Sequence, residues 1–156
     1  MKKLFLFASI ALASGLLFTN VYNSMIDSTS WGTDIPKSIE TAREYFKAVN
    51  PGNFFRVFSP INQILGLLSL ILFWKVSTKV RIYLGIALAF YVLGDVFTFA
   101  YFYPRNDIMF KTPITDFETI KQAWTGWNTM NWLRSAIVFA GLIFSFLALH
   151  KIYTTK

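Results

Sequence analysis

The sequence predicts an all-α integral membrane protein: a four-helix bundle with both termini in the cytoplasm and short amphipathic helices in its two outward connections. Three observations carry that expectation. Four apolar runs place membrane spans at about 4–25, 57–75, 81–103 and 130–150, each near or above the ~18 residues a bilayer-crossing helix needs. Hydrophobic residues make up 54% of 156, which leaves no room for a separate soluble domain, so one transmembrane domain is expected. Basic and acidic residues occupy different connections.

The first run opens on Lys2 and Lys3 and passes through Ala11-Leu12-Ala13-Ser14-Gly15, a pattern that a secretory signal also shows. The apolar stretch continues through Leu16, Leu17 and Phe18 to Val21, so a helix that stays in the membrane is expected. In the first outward connection, Thr33 or Asp34 stands ready to cap a helix with Pro36 in its opening turn. Ile35, Ile39, Ala42, Phe46 and Val49 recur there at helical spacing, over about 35–49. Glu40 with Arg43 and Glu44 with Lys47 form i,i+3 pairs on its polar side, and Asn50-Pro51-Gly52-Asn53 is expected to stop it. Ser59-Pro60 reads as cap and first position of the second span, placing Asn62 and Gln63 in its first turn. After Pro113 a second outer helix, over about 114–126, is expected to run into the fourth span. The two outer helices either lid the bundle or lie among lipid headgroups. Trp31, Trp124, Trp127 and Trp132 outside and Trp74 inside fit aromatic belts in both arrangements.

Orientation follows from the basic residues, which accumulate in cytoplasmic segments. Lys2 and Lys3, then Lys75, Lys79 and Arg81, then Lys151 and Lys156 occupy segments without an acid, and all eight carboxylates lie elsewhere. The expected location is the plasma or inner membrane, with both termini cytoplasmic. The net charge of +7 is then a signature of topology, so no nucleic-acid partner is expected.

Polar residues gather in the outer half of the spans. Counted from Tyr103, Asp95 lies ~12 Å down the third helix; counted from Trp127, Arg134 lies ~10 Å down the fourth. An isolated charge in hydrocarbon costs at least ~2.5–3.5 kcal/mol, so each should find a partner. The economical arrangement is an Asp95–Arg134 ion pair surrounded by Asn23, Gln63, Asn128 and Asn131. The same cluster has a purely architectural reading, in which its hydrogen bonds set helix register and hold no ligand.

Several chemistries are excluded. With no Cys, the chain forms no disulfide and binds no thiol-ligated metal, and its single His, His150, ends the fourth span. No phosphate-binding glycine loop and no nucleophile elbow is present. No metal and no cofactor is therefore expected.

Pro104-Arg105-Asn106-Asp107 beside the third span, followed by Trp124-Thr125-Gly126-Trp127-Asn128-Thr129-Met130-Asn131-Trp132-Leu133-Arg134, resembles the P-x-N and W-x(n)-N-x-x-R signatures of the anthrone oxygenase-like family of small four-span membrane proteins. The resemblance implies that Asn106, Asn131 and Arg134 belong to the site. It also implies oxidation of anthrones to anthraquinones without a recognised metal or flavin. Asp95 matches no motif of that family. In such chemistry an acidic C–H beside a carbonyl loses its proton to Asp95 or a water, while Arg134 and the Asn amides stabilise the enolate oxygen.

Two classes of function remain open at this level. One is a protein that binds or oxidises a small hydrophobic molecule or lipid in an outward-opening polar pocket. The other is an accessory subunit that docks a membrane protein partner or a second copy of itself. Proton-coupled transport is weaker, because no broken-helix repeat accompanies Asp95.

Overall fold

A computed structural model describes residues 2–48 and 50–154. Among these residues there are helices and no strands. Four helices are long and apolar enough to cross a membrane: α1 (Lys2–Trp31), α3 (Pro51–Phe73), α4 (Thr78–Lys111) and α5 (Phe117–Thr154). A short helix, α2 (Lys37–Tyr45), fills the first connection. The chain is a membrane four-helix bundle. Large apolar side chains such as Leu4, Phe18, Ile64, Ile71, Phe99 and Phe139 stay exposed around it, forming the surface that hydrocarbon solvates without penalty.

The helices outrun their apolar cores. α3 does not begin at Ser59-Pro60, because Asn50 caps it earlier, its side chain accepting from the Gly52 amide at 2.9 Å with Pro51 in the first turn. Pro60 lies inside the helix, and Asn62 and Gln63 stand about three turns in rather than at an open helix end. The Asn50-Pro51-Gly52-Asn53 stretch thus starts a helix instead of merely stopping one. α4 is capped by Ser77, whose hydroxyl accepts from the Val80 amide at 3.2 Å, and it continues through Pro104-Arg105-Asn106-Asp107 to Lys111. The second outer helix and the fourth span are one element, α5, which starts at Phe117 and runs unbroken to the end of the described chain.

Two π-helical turns interrupt the α-geometry, at Asn23–Asp27 in α1 and Thr98–Phe102 in α4. Each inserts an extra residue per turn and reaims the side chains beyond it. Both lie toward the end of the bundle that carries α2.

At the opposite end, Leu6, Ile10, Val80, Leu84 and Leu142 form an apolar core. The two termini meet there, with the Lys3 ammonium 3.8 Å from the Tyr153 ring centroid. Small residues bring α4 and α5 together: the Tyr91 ring lies against Gly141, and its hydroxyl is 2.9 Å from Ser145 Oγ. Between α1 and α3, the Ser9 hydroxyl donates to Asn62 Oδ1 at 3.1 Å.

α2 packs as a cap over the bundle. Its Ile39 and Ala42 are buried with Met109, Ile120, Ala123 and Trp127. Pro36, not Thr33 or Asp34, precedes the first turn, and no side chain caps it. The expected Glu40–Arg43 pair is absent among the described residues: Arg43 reaches across to α4 and donates to the Met109 carbonyl at 2.9 and 2.7 Å and to the Thr112 carbonyl at 2.8 Å. Those carbonyls close a helix C-terminus, where a cation is favoured. Glu44–Lys47 does form, at 3.5 Å. Val49, expected on the apolar side of α2, and Lys156 of the basic tail lie outside the described residues. Trp31 and Trp127 are buried, 7% and 4% exposed, so they belong to the cap's interior rather than to an interfacial belt.

Candidate functional site

The polar residues of α3, α4 and α5 converge beneath the cap. From α4, Asp95 and Thr98 share a helix face with Tyr91 and Phe102. From α3 comes Gln63, and from α5 comes Arg134. A small cavity of about 40 Å³ lies between Asp95, Gln63, Asn62, Tyr91 and Arg134. A larger one of about 480 Å³ extends from Arg134 toward the cap, past Phe55, Trp127, Asn23 and Asn106. Phe55, Thr98 and Arg134 line both, so Arg134 stands at their junction.

The expected Asp95–Arg134 ion pair does not form. Asp95 takes the Gln63 amide instead, Nε2 donating to Oδ2 at 2.6 Å, with the Ser59 hydroxyl beside the same carboxylate. Arg134, only 6% exposed, turns to aromatic faces. Its guanidinium carbon is 4.3 Å from the Phe102 ring centroid, 5.4 Å from that of Phe55 and 5.8 Å from that of Trp127. A ring face attracts a cation by about 0.5–2 kcal/mol, more when water is excluded. The π turn delivers Phe102, fully buried, to that position. One hydrogen bond is long, from Arg134 to Thr98 Oγ1 at 3.5 Å.

Two buried donors find no acceptor among the described residues: Arg134 Nε and Trp127 Nε1. Both residues line the larger cavity. Buried N–H groups are nearly always satisfied, and one left unmade costs about 1–3 kcal/mol.

The remaining candidates separate into two groups. Asn23 and Asn106 line the larger cavity with Arg134. Asn128 and Asn131 instead tie α5 to α1. Asn128 accepts from the Ser28 hydroxyl at 3.0 Å, and Asn131 donates to the Asn20 carbonyl at 3.0 Å and to Ser24 Oγ at 2.6 Å. Trp124 Nε1 adds a bond to the Ser28 carbonyl at 2.7 Å. These bonds satisfy the distorted backbone around the first π turn and fix its position. Sequence reasoning set Phe102 on the face of Asp95 but missed Phe55 and the cavity-facing role of Trp127, since aromatic residues in a membrane helix resemble lipid-facing ones. Among the described residues no three His, Cys, Asp or Glu side chains gather in a metal-binding cluster.

A family model described as anthrone oxygenase matches residues 52–144. The matched segment takes in Gln63, Asp95, Asn106, Asn131 and Arg134. No curated protein and no solved structure matches the chain.

Proposed function

The chain belongs to the anthrone oxygenase family, and from that premise we propose that the cavity around Arg134 binds a small aromatic ketone and promotes its oxygenation. The observation that carries this proposal is the buried guanidinium of Arg134, which lines both cavities and makes no contact ion pair with Asp95 beside it.

The chemistry needs a base, oxyanion donors and dioxygen. Asp95, free of an ion pair, removes a proton from the carbon opposite the ketone, directly or through water in the small cavity. The electron pair left behind delocalises onto the carbonyl oxygen, which the Arg134 guanidinium stabilises. The carbanion carbon bonds to dioxygen, and the resulting peroxide anion takes the proton back. Loss of water from that hydroperoxide forms the second carbonyl, so an anthrone and dioxygen yield an anthraquinone and water. Asp95 and Arg134 thus divide proton transfer and charge stabilisation between them.

The proposed setting is the plasma or inner membrane, with the termini cytoplasmic and the cap outside. Lys2, Lys3, Lys75, Lys79, Arg81 and Lys151 supply the inner positive charge.

The test is oxidation of an anthrone under air by the purified protein in nanodiscs, followed by quinone absorbance. Arg134→Gln is expected to lower the turnover by about 10²–10³, the loss typical of one oxyanion donor. A wild-type rate no higher than that of empty nanodiscs rejects the proposal.

A further inference from the structure

We propose that the larger cavity selects an aromatic acid, holding its carboxylate between Lys47 and Arg56 at the rim while its oxidisable ring reaches Arg134. This inference rests on the oxygenase reading and adds the charge class of the substrate to it.

The charges lining the cavity do not balance. Among the described residues it is lined by five cationic side chains, Arg43, Lys47, Arg56, Lys111 and Arg134, and one carboxylate, Asp107. Asp107 is taken by Lys111 at 2.7 Å, and Arg43 is taken by backbone carbonyls. Lys47 has only the loose contact with Glu44, both side chains more than two-thirds exposed, which holds it weakly. Arg56 is exposed and stands 6.0 Å over the Tyr103 ring, without a carboxylate among the described residues. Lys47 and Arg56 at the rim are therefore left without a firm partner, and Arg134 at the inner end has no contact ion pair.

Membrane topology does not ask for this surplus. Cations favour the side of the termini, yet these gather beneath the cap at the other end. Walls of low dielectric focus their field into the cavity. Trp31, Phe46, Phe55, Phe110 and Trp127 supply ring faces along the way, as a flat aromatic ligand requires. At about 480 Å³ the cavity falls within the range of small-molecule sites. A phospholipid phosphate would also answer the charge, but not the rings.

Quenching of tryptophan fluorescence in phosphatidylcholine nanodiscs tests the proposal, with Trp31 and Trp127 as reporters and two matched probes, anthraquinone-2-carboxylate and anthraquinone-2-carboxamide. The carboxylate is expected to bind at least about tenfold tighter, equivalent to about 1.4 kcal/mol. In the double variant Lys47→Gln, Arg56→Gln that ratio is expected to fall toward one, with the affinity for the amide unchanged. Equal affinities in the wild type overturn the charge selection and leave the oxygenase reading standing. Binding of neither probe overturns both. Displacement of the carboxylate by phosphatidylglycerol added to the nanodiscs overturns the aromatic acid and assigns the rim to lipid phosphate.

Discussion

The Gln63 amide holds the Asp95 carboxylate at 2.6 Å, taking the place that an arginine partner would fill. The acid is thus hydrogen-bonded by neutral donors, with the Arg134 charge acting on it from beyond contact distance. Replacing Gln63 with Ala removes a hydrogen bond to a charged group, worth about 1.5–3 kcal/mol. Asp95→Asn keeps an amide partner within reach and is expected to cost less than about 1 kcal/mol. Thermal unfolding of both variants in one detergent checks the order.

Arg134 provides a sharper contrast. Breaking a buried ion pair by removing one partner typically costs about 3–5 kcal/mol. Arg134→Gln in this protein loses ring contacts but also removes a desolvated charge, so its stability is expected to stay within about 1 kcal/mol of wild type. Its turnover should nonetheless collapse. Stability and rate measured on the same preparation distinguish a stranded carboxylate from a lost oxyanion donor.

Asn131 is expected to behave in the opposite way. It bonds to Asn20 and Ser24 across two helices and does not line the cavity. Asn131→Ala should lower stability by about 1–2 kcal/mol, the upper range for interhelical hydrogen bonds in membranes. Affinity for an anthraquinone probe, measured well below the melting temperature, should change less than about twofold, a few tenths of a kcal/mol.

Glycine at the α4–α5 contact offers a paired test. A Cβ at Gly141 would lie 2.7 Å from the Tyr91 ring and 3.2 Å from Phe90 Cβ, whereas one at Gly85 meets nothing within 4 Å. Gly141→Ala is expected to destabilise by about 1–3 kcal/mol through overpacking. Gly85→Ala should be neutral or stabilising by up to about 1 kcal/mol, as helix propensity dictates. Unfolding midpoints of the two variants, compared directly, decide it.

Because the chain contains no Cys, its orientation can be read by single introduced thiols. Thr41→Cys and Tyr153→Cys should react with a membrane-impermeant maleimide from opposite sides of the membrane, Thr41→Cys from outside intact cells. Labelling of Tyr153→Cys from outside reverses the orientation.

The four spans were legible because lipid imposes a long apolar run on any helix that crosses it. The run of the second outer helix into the fourth span followed from the helical spacing of Phe117, Ile120 and Trp124, whereas Ile114 lies ahead of the helix. That Asp95 and Arg134 stand level with one another was also legible, since rise per residue is nearly constant, and both line the small cavity. Their partners were not, because equal depth leaves the azimuth free. The start of α3 was obscured by Pro60, which looks like a first-turn residue but is tolerated within a span when neighbouring groups satisfy the backbone. Phe102, on the helix face of Asp95, is fully buried, whereas Phe99 is 60% exposed.

That last difference depends on the five residues Thr98–Phe102. Deleting one of them would restore ordinary α-geometry and swing everything downstream by about 100°, one residue's share of a 3.6-residue turn. Tyr103, Asn106 and Lys111 would rotate together, away from Arg134 and toward lipid. A single codon's length in this stretch therefore separates an aromatic-walled chamber from a plain transmembrane rod, and loss of that codon would dismantle the chamber while leaving every proposed chemical group in the sequence.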